Sequence, residues 1–184
     1  MDRGDPSLLR AQTPMNDAPA RPGSAPPVPG ESGLQHTYLF PGKLIACAQP
    51  RLVTTVLGSC VSVCLCDPVA GIGGLNHFLL PARVGSNPEP LRFGNEATET
   101  LIQTLLELGA SRRCLQAKLF GGMCRSPGPG MGAIGQKNVA VAEAILQAHR
   151  IPVIGQDVLG PVGRKLWYLT STGEAWITRL GNQG

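Results

Sequence analysis

Residues 54–81 read TTVLGSCVSVCLCDPVAGIGGLNHFLLP and contain two apolar runs, at 60–66 and at 73–80. Short apolar runs rich in β-branched residues and bounded by turn residues are typical of strands. The segment 67–71 between them has aspartate, proline and glycine at places that favour a turn. The stretch therefore predicts a β-hairpin, with Cys60 near its start and His77 near its end.

The register of this hairpin decides whether Cys60 and His77 meet. If the hairpin is centred between Pro68 and Val69, the two residues lie directly opposite each other, and Cβ atoms in such a pair are about 4.5–5.5 Å apart. If Gly71 forms a bulge, the register slips by one residue and His77 turns to the other face of the sheet. The sequence leaves both registers open.

Cys60 and His77 are the side chains of this stretch best suited to covalent chemistry. A free thiol has a pKa of about 8.5 and becomes a strong nucleophile when it loses its proton. A nearby imidazole can take that proton, and a third group should hold the imidazole in one tautomer. Thr54, Thr55 and backbone carbonyls are the candidates for that group. If His77 lowers the pKa of Cys60, the thiol should react faster than a free one. On spacing alone, a buried small cysteine and a core histidine are the competing interpretation.

The residues before Cys60 predict how the thiol is presented. Gly58 can approach neighbouring backbone closely or take a positive φ, so a Gly-Ser step suits a small turn that lifts a side chain off a strand. Such a turn leaves the backbone N–H groups of Ser59 and Cys60 free, and free N–H groups can stabilise the negative oxygen of a reacting carbonyl. Gly58 and Ser59 are therefore predicted to position the substrate and its oxyanion.

The runs LGSCVSVCLCDP and GGLNHFLLP resemble the CheD family, the chemoreceptor glutamine deamidases of bacterial chemotaxis. Further segments follow in the order of the family: KLFGG at 118–122, IGQKN at 134–138, IPV at 151–153, DV at 157–158, GRK at 163–165 and TGE at 172–174. The resemblance covers roughly residues 38–180. It departs from the family after Gly122, where Met123 replaces the usual alanine.

The resemblance implies an enzyme with a cysteine nucleophile. The family's catalytic cysteine falls on Cys60, its histidine on His77 and its threonine on Thr54. The implied reaction converts glutamine to glutamate through a thioester, on the cytoplasmic helical region of a methyl-accepting chemoreceptor, without a metal or an organic cofactor. The resemblance also implies docking to a CheC-like phosphatase. An adaptor that binds chemotaxis proteins with weak or no catalysis is therefore the alternative function.

Composition divides the chain of 184 residues into a tail and one domain. Residues 1–33 contain seven prolines and no aromatic residue, so they cannot bury enough surface to offset the entropy lost on ordering. We expect a disordered, proline-rich tail at 1–33 and a single folded domain at 34–184.

Within that domain the patterns predict more strands than helices. Strands are predicted at 43–48, 52–57, 60–66, 73–80, 116–120, 153–158, 165–170 and 174–179. Helices are predicted at 95–108, with Asn95 as N-cap and Gly109 after the last turn, and at 135–149. Gly121, Gly122 and the loop to Gly132 are expected to form a wall on the substrate side of the site. The mixed order predicts an α+β fold, with mixed sheets layered against two main helices.

Charge and composition argue against nucleic-acid binding and membrane insertion. The chain has a net charge of +4 at pH 7 but only 4% aromatic residues, without the basic stripe and aromatic platforms typical of nucleic-acid proteins. No apolar run approaches the roughly 18 residues of a membrane span, and the first residues lack an apolar signal region. We therefore expect a cytoplasmic protein whose six cysteines are free thiols.

Zinc binding is the alternative use of the hairpin cysteines. Cys60, Cys64 and Cys66 share one strand parity, with His77 nearby. Their Cys-x3-Cys-x-Cys spacing lacks the paired knuckles from which zinc sites draw their ligands. We therefore interpret Cys64 and Cys66 as core residues and expect no metal.

Overall fold

The computed structural model describes residues 26, 33–83, 85, 88–124 and 132–181, which form two β-sheets and two main helices. The four-stranded sheet has the spatial order β1 (Gln35–Tyr38), β3 (Arg51–Leu57), β8 (Gly163–Leu169) and β9 (Ala175–Leu180). The five-stranded sheet has the order β2 (Lys43–Cys47), β5 (Ile72–His77), β4 (Val61–Asp67), β6 (Gln116–Gly121) and β7 (Val153–Val158). The helices are α1 (Gly94–Glu107) and α2 (Gly132–Ala148), and Pro90–Arg92 form a 3-10 turn before α1.

Two apolar cores hold these elements together in three layers, one core on each face of the five-stranded sheet. The core between that sheet and the helices contains Val61 and Val63 of β4 together with Leu101 of α1. The core between the two sheets contains Cys64 of β4 and Leu166 of β8. β4 is buried on both faces along its whole length, which explains why its sequence reads as a continuous apolar run. The predicted α+β class is confirmed.

A loop of residues 68–71 joins β4 to β5, and the Asp67 carboxylate fixes it. One carboxylate oxygen accepts hydrogen bonds from the N–H groups of Val69 at 2.9 Å and Ala70 at 3.0 Å. The other accepts from Ser111 N at 2.7 Å. Burial acts to raise the pKa of Asp67, but these three donors outweigh it, and the net effect lowers the pKa. The predicted turn is therefore present, and it is tied to the segment after α1.

The register of β4 and β5 differs from both registers left open by the sequence. Val61 and Phe78 exchange two backbone hydrogen bonds, of 3.1 and 3.0 Å, so Cys60 comes opposite Leu79 rather than His77. This is a shift of two residues from the directly opposed register. Because side chains alternate with a period of two, this register places Cys60 and His77 on the same face, as diagonal rather than direct neighbours. Cys60 indeed packs against the core between the sheets, which contains Leu75, two residues before His77.

α1 begins and ends close to its predicted bounds, with one correction at its start. It begins at Gly94, and its N-cap is Phe93, without a side-chain capping bond. Asn95 was expected to be the N-cap, but it lies in the first turn and accepts a hydrogen bond from Arg83 N at 3.3 Å. Gly109 follows the helix with a φ of 104°, which is the conformation that favours glycine after a last turn.

The predicted strands are all found, with bounds that differ by a few residues, and β1 is an additional strand. It pairs in parallel with β3. The predicted tail at 1–33 lies almost wholly outside the described residues, as do 125–131 of the loop before α2, so the tail stays a prediction. A helix long and apolar enough to cross a bilayer is not found in the described part of the chain.

Candidate active site

Residues 58–60 join β3 to β4 and carry Cys60, and we call them the nucleophile turn. All three of its carbonyls accept hydrogen bonds. Those of residues 58, 59 and 60 accept, in that order, from Met123 N at 2.8 Å, Asn138 Nδ2 at 3.0 Å and Gly122 N at 2.8 Å. The nucleophile turn is therefore anchored by its carbonyls to the segment after β6 and to α2.

The N–H groups of Ser59 and Cys60 point away from this anchor. A peptide group is planar, and in a trans peptide the C=O and N–H point in opposite directions. The N–H of Ser59 shares a peptide with the bound carbonyl of Gly58, and the N–H of Cys60 shares one with that of Ser59. Within the described residues neither N–H donates to another residue. Two free donors beside a thiol can stabilise a carbonyl oxygen as it becomes negative.

Gly121 and Gly122 lie behind the nucleophile turn. Gly121 has a φ of 106°, and a Cβ there would be 2.2 Å from the carbonyl oxygen of Cys60. Gly122 has a φ of 66°, and a Cβ there would be 2.6 Å from Val139 Cγ2 on α2. These two glycines therefore lie behind the turn rather than on the substrate side, and residues 125–131 of the expected wall lie outside the described residues. The lack of side chains at Gly121 and Gly122 lets β6 and α2 pack directly against the back of the turn.

Gly58 does not use the conformational freedom of glycine. Its φ is not in the positive region, and a Cβ there would meet Met123 Cε at 3.8 Å, which is an ordinary van der Waals contact. The expectation of a positive φ or a close backbone approach at Gly58 is therefore wrong, and both features are found at Gly121 instead. The part of Gly58 and Ser59 in positioning a substrate stays a prediction.

His77 ends β5 and is 1% exposed. Its Nδ1 lies 2.8 Å from Oγ1 of Thr55 on β3, and that hydroxyl donates to the carbonyl of Leu39 at 2.8 Å. Because a hydroxyl has one hydrogen, Thr55 must accept from His77, and Nδ1 therefore carries the imidazole hydrogen. Nε2 keeps an unshared electron pair and has no hydrogen-bond partner among the described residues. His77 is thus held as a neutral base whose basic atom is Nε2.

Thr54, one of the candidates for holding His77 and the position of the family's threonine, faces the other side of β3. Its Oγ1 lies 2.8 Å from Nε2 of His36 on β1. Successive side chains of a strand point to opposite faces, and Val53, which shares the parity of Thr55, lies in the core between the sheets. Of the two candidate threonines, Thr55 rather than Thr54 therefore contacts His77. The catalytic weight of each threonine stays a prediction.

Burial sets the charge state of the pair. It lowers the pKa of His77 to about 4, and a backbone hydrogen bond to Leu39 opposes this only in part. Burial also raises the pKa of the Cys60 thiol, against a smaller lowering by its own N–H. At pH 7 the free protein therefore holds a thiol and a neutral imidazole. Because the pKa of Cys60 is raised rather than lowered, the condition for a thiol that reacts faster than a free one is not met.

Cys60 differs in exposure from the other cysteines of the hairpin. It is partly exposed, whereas Cys64 and Cys66 are buried. Burial raises the pKa of Cys64 to about 12 and that of Cys66 to about 11. The interpretation of Cys64 and Cys66 as core residues is confirmed. No cluster of three or more histidine, cysteine or carboxylate side chains suited to a metal ion is found in the described ranges.

Fold and site define an α+β protein in which a cysteine and a neutral histidine lie at one end of a two-sheet core. A sequence model of the family described as CheD chemotactic sensory transduction matches residues 79–179. A relative from Anaeromyxobacter dehalogenans, named probable chemoreceptor glutamine deamidase CheD 1, is 43% identical over 88% of this chain and 96% of its own length. The chain belongs to the CheD family.

Two further relatives carry the same family name at similar sequence identity. A probable chemoreceptor glutamine deamidase CheD from Cereibacter sphaeroides is 40% identical over 84% of this chain and 77% of its own length. One from Chromobacterium violaceum, named CheD 2, is 40% identical over 79% and 74%. A crystal structure of the hypothetical protein YfiH from Bacillus licheniformis matches with a TM-score of 0.43 and 12% identity, over 64% of this chain and 49% of that chain.

Thr55 and Asn138 are the site residues that the sequence patterns did not single out. Thr55 was one of several candidates for holding the imidazole, and a decision required the facing of β3. Asn138 stood out only as the last residue of the IGQKN segment. The available signal was a polar residue beside Val139 and Ala142 on the inward side of α2, where both neighbours are buried.

Proposed function

We propose that this protein hydrolyses glutamine side chains of methyl-accepting chemoreceptors to glutamate, with Cys60 as nucleophile and His77 as its base. The observation that carries the proposal is the unshared Nε2 of His77, held in that tautomer by Thr55, on the sheet face that Cys60 shares. Membership of the CheD family supports the choice of substrate, since its relatives are named probable chemoreceptor glutamine deamidases.

The first half of the reaction forms a thioester and releases ammonia. The thiol of Cys60 gives its proton to Nε2 of His77 as Sγ attacks the Cδ carbon of the glutamine side chain. The carbonyl oxygen becomes negative and accepts hydrogen bonds from the N–H groups of Ser59 and Cys60. When the intermediate collapses, the Cδ–N bond breaks and His77 returns the proton to the departing nitrogen, which leaves as ammonia.

The second half releases glutamate by the same groups in reverse. A water molecule gives a proton to Nε2 of His77 and attacks the thioester carbon. The C–S bond then breaks, the proton passes to Sγ, and the thiol of Cys60 is restored. Because the pKa of His77 is lowered to about 4, the imidazole is neutral and able to accept a proton at the start of each half at pH 7.

Partners and location follow from this proposal. The glutamines of interest lie on the cytoplasmic helical region of a receptor, so we place the protein in the cytoplasm. The tail at 1–33 carries three arginines and four acidic residues, so its net charge is −1. Because the whole chain has a net charge of +4, residues 34–184 carry +5. A modest positive charge favours docking to an acidic protein surface. A CheC-like phosphatase remains the second partner that the family resemblance implies.

Ammonia release from a purified receptor fragment tests the proposal directly. The full chain is mixed with the cytoplasmic fragment of a methyl-accepting chemoreceptor that has glutamine at its modification sites. Ammonia is measured by a coupled enzyme assay, and the modified peptide is located by mass spectrometry. We expect release by the wild type and none by Cys60→Ala. Cys47→Ala is the matched control, because Cys47 is also partly exposed but lies on β2, and it should keep full activity.

The adaptor alternative makes the opposite prediction for the same assay. A protein that only docks chemotaxis proteins would bind the receptor fragment without releasing ammonia, and Cys60→Ala would bind as tightly as the wild type. Equal ammonia release by the wild type and by Cys60→Ala would rule out Cys60 as the nucleophile.

A further inference from the structure

Asn138 on α2 is fully buried, and its side-chain nitrogen donates two hydrogen bonds. One goes to the carbonyl of Ser59 at 3.0 Å and the other to the carbonyl of Leu79 at 2.9 Å. Both acceptors are carbonyl oxygens, so the nitrogen rather than the oxygen of the amide has to face them. The two hydrogens of one nitrogen therefore join two separate stretches of backbone.

Those two stretches carry the reactive side chains. Ser59 directly precedes Cys60, and Leu79 follows His77 by two residues. The two hydrogen bonds of Asn138 lie where the backbone pairing of the hairpin ends. Val61 and Phe78 exchange both backbone hydrogen bonds, so the next pair to do so in an antiparallel ladder would be Ser59 and Leu80. Instead the carbonyl of Ser59 accepts from Asn138, and the N–H of Leu80 donates to the carbonyl of Arg92 at 3.0 Å. Asn138 thus connects the two strands at the point where they no longer bind each other.

We propose that Asn138 is a positioning residue that aims the N–H of Cys60 at the oxyanion. The carbonyl of Ser59 and the N–H of Cys60 belong to one planar peptide, so a bond that fixes the first also fixes the direction of the second. Met123 N and Gly122 N hold the two flanking peptides, and Asn138 is the one side chain among these three anchors. The inference rests on the deamidase function proposed above and adds a residue to its oxyanion site.

The side-chain oxygen of Asn138 also indicates that this position requires an amide. Oδ1 of Asn138 is buried, and in the described residues it has no hydrogen-bond partner. An unsatisfied buried acceptor destabilises the folded protein. An apolar side chain would avoid that cost, and a serine or threonine would supply only one hydrogen. The amide is the short neutral side chain that donates two hydrogens from a single atom, and that is what the two carbonyls use.

The test compares turnover with the reactivity of the thiol. In Asn138→Ala, the peptide before Cys60 loses its anchor, whereas the thiol and the imidazole keep their own contacts. We expect kcat for ammonia release from the receptor fragment to fall by about 30-fold or more, given that one oxyanion donor contributes about 10²–10³ in kcat. KM, and the rate at which iodoacetamide labels Cys60, should stay close to their wild-type values, because alkylation does not use the oxyanion donors.

Thr170→Val is the matched control for the loss of a buried anchor. Thr170 is also fully buried, and its hydroxyl accepts from Arg51 N at 3.0 Å. It lies at the other end of the core, where Cys66 Sγ donates to its carbonyl at 3.4 Å. This variant should lower the melting temperature but keep kcat in the folded protein. If Asn138→Ala does not fold, Asn138→Ser, which keeps one donor, provides the same comparison.

Three results would overturn the proposal. One is a folded Asn138 variant with wild-type kcat. Another is a loss of kcat matched by an equal change in the Cys60 alkylation rate, because Asn138 would then act on the thiol. The third is an equal loss of kcat in Thr170→Val, which would reduce Asn138 to a general stabiliser. A wild type that releases no ammonia would instead contradict the deamidase function, so the two failures are distinguishable.

Discussion

The Oγ1 of Thr55 lies 2.8 Å from Nδ1 of His77 and gives its own hydrogen to the carbonyl of Leu39. One hydroxyl thereby fixes both the orientation and the tautomer of the imidazole. It connects β3 of one sheet to β5 of the other, so the charge state of the site depends on how the two sheets face each other.

Thr55→Val should reduce ammonia release by about tenfold or more, because a histidine without its Nδ1 acceptor can adopt the tautomer that lacks a basic Nε2. The change also removes the hydrogen bond from Thr55 to the buried Leu39 carbonyl, so we expect a loss of about 0.5–1.5 kcal/mol in stability. The measurement is kcat per folded molecule beside urea unfolding. Thr54→Val is the matched control, since it removes the neighbouring hydroxyl, which contacts His36. A larger loss of kcat in Thr54→Val would favour the position inferred from the family resemblance.

The sequence could not decide between these threonines, and the reason lies in the composition of β3. Its run Arg-Leu-Val-Thr-Thr-Val-Leu is apolar in both parities, with Leu52 and Val56 on one face and Val53 and Leu57 on the other. Alternation therefore predicts a strand but not which face is inward. Only contacts with the second sheet, which are distant in sequence, settle it.

The difference between local patterns and contacts distant in sequence also explains which other parts of the fold could be predicted. Strands and helices were predicted well because their apolar periodicity is local. The hairpin register was not, because Asp67 fixes the loop with help from Ser111, a residue 44 positions along the chain. The roles of Asn138 and Gly121 were missed for the same reason, since each acts on the nucleophile turn from another element.

Stability should fall between pH 6.5 and about 4 because of His77. Its pKa is lowered from 6.5 to about 4 by burial, so the unfolded chain binds a proton in this range and the folded protein does not. The contribution of His77 to the free energy of unfolding is complete above pH 6.5 and is lost as the pH falls from there through the folded pKa. The total loss is up to about 3 kcal/mol. Urea unfolding at pH 7 and at pH 4.5 measures it.

His77→Asn is the control for this pH dependence. An asparagine amide can still donate to Thr55 but does not titrate, so the variant should lose less stability between pH 7 and pH 4.5. Asp67, whose lowered pKa starts from 3.8, contributes only at lower pH, below the range of the experiment. An unchanged slope in His77→Asn would show that another group causes the loss.

Cys60 should be alkylated more slowly at pH 7 than a cysteine in a short peptide. Burial raises the pKa of its thiol, and only the thiolate reacts. We expect the rate of labelling by iodoacetamide to keep rising through pH 9, with the labelled residue identified by peptide mass mapping. A rate that levels off below pH 8 would contradict a neutral resting pair and would indicate a thiolate stabilised by His77.

Gly121→Ala should lower kcat more than Gly71→Ala does, although both glycines have a positive φ. A Cβ at Gly121 would lie 2.2 Å from the carbonyl oxygen of Cys60, a backbone atom that cannot swing aside, and the φ of 106° adds strain. The turn would have to move, which breaks the bond from Gly122 N to that same carbonyl. We therefore expect a lower melting temperature together with a loss of kcat that exceeds the unfolded fraction.

Gly71→Ala separates backbone strain from this collision. Gly71 has a φ of 68°, and a Cβ there would have no other atom within 4 Å, so the substitution adds only the left-handed strain of about 1–2 kcal/mol. Its melting temperature should fall, but kcat in the folded protein should equal that of the wild type, because the loop at 68–71 is at the opposite end of β4 from Cys60. Equal kcat values for the two variants would mean that the nucleophile turn tolerates displacement. The close packing behind Cys60 would then serve stability alone.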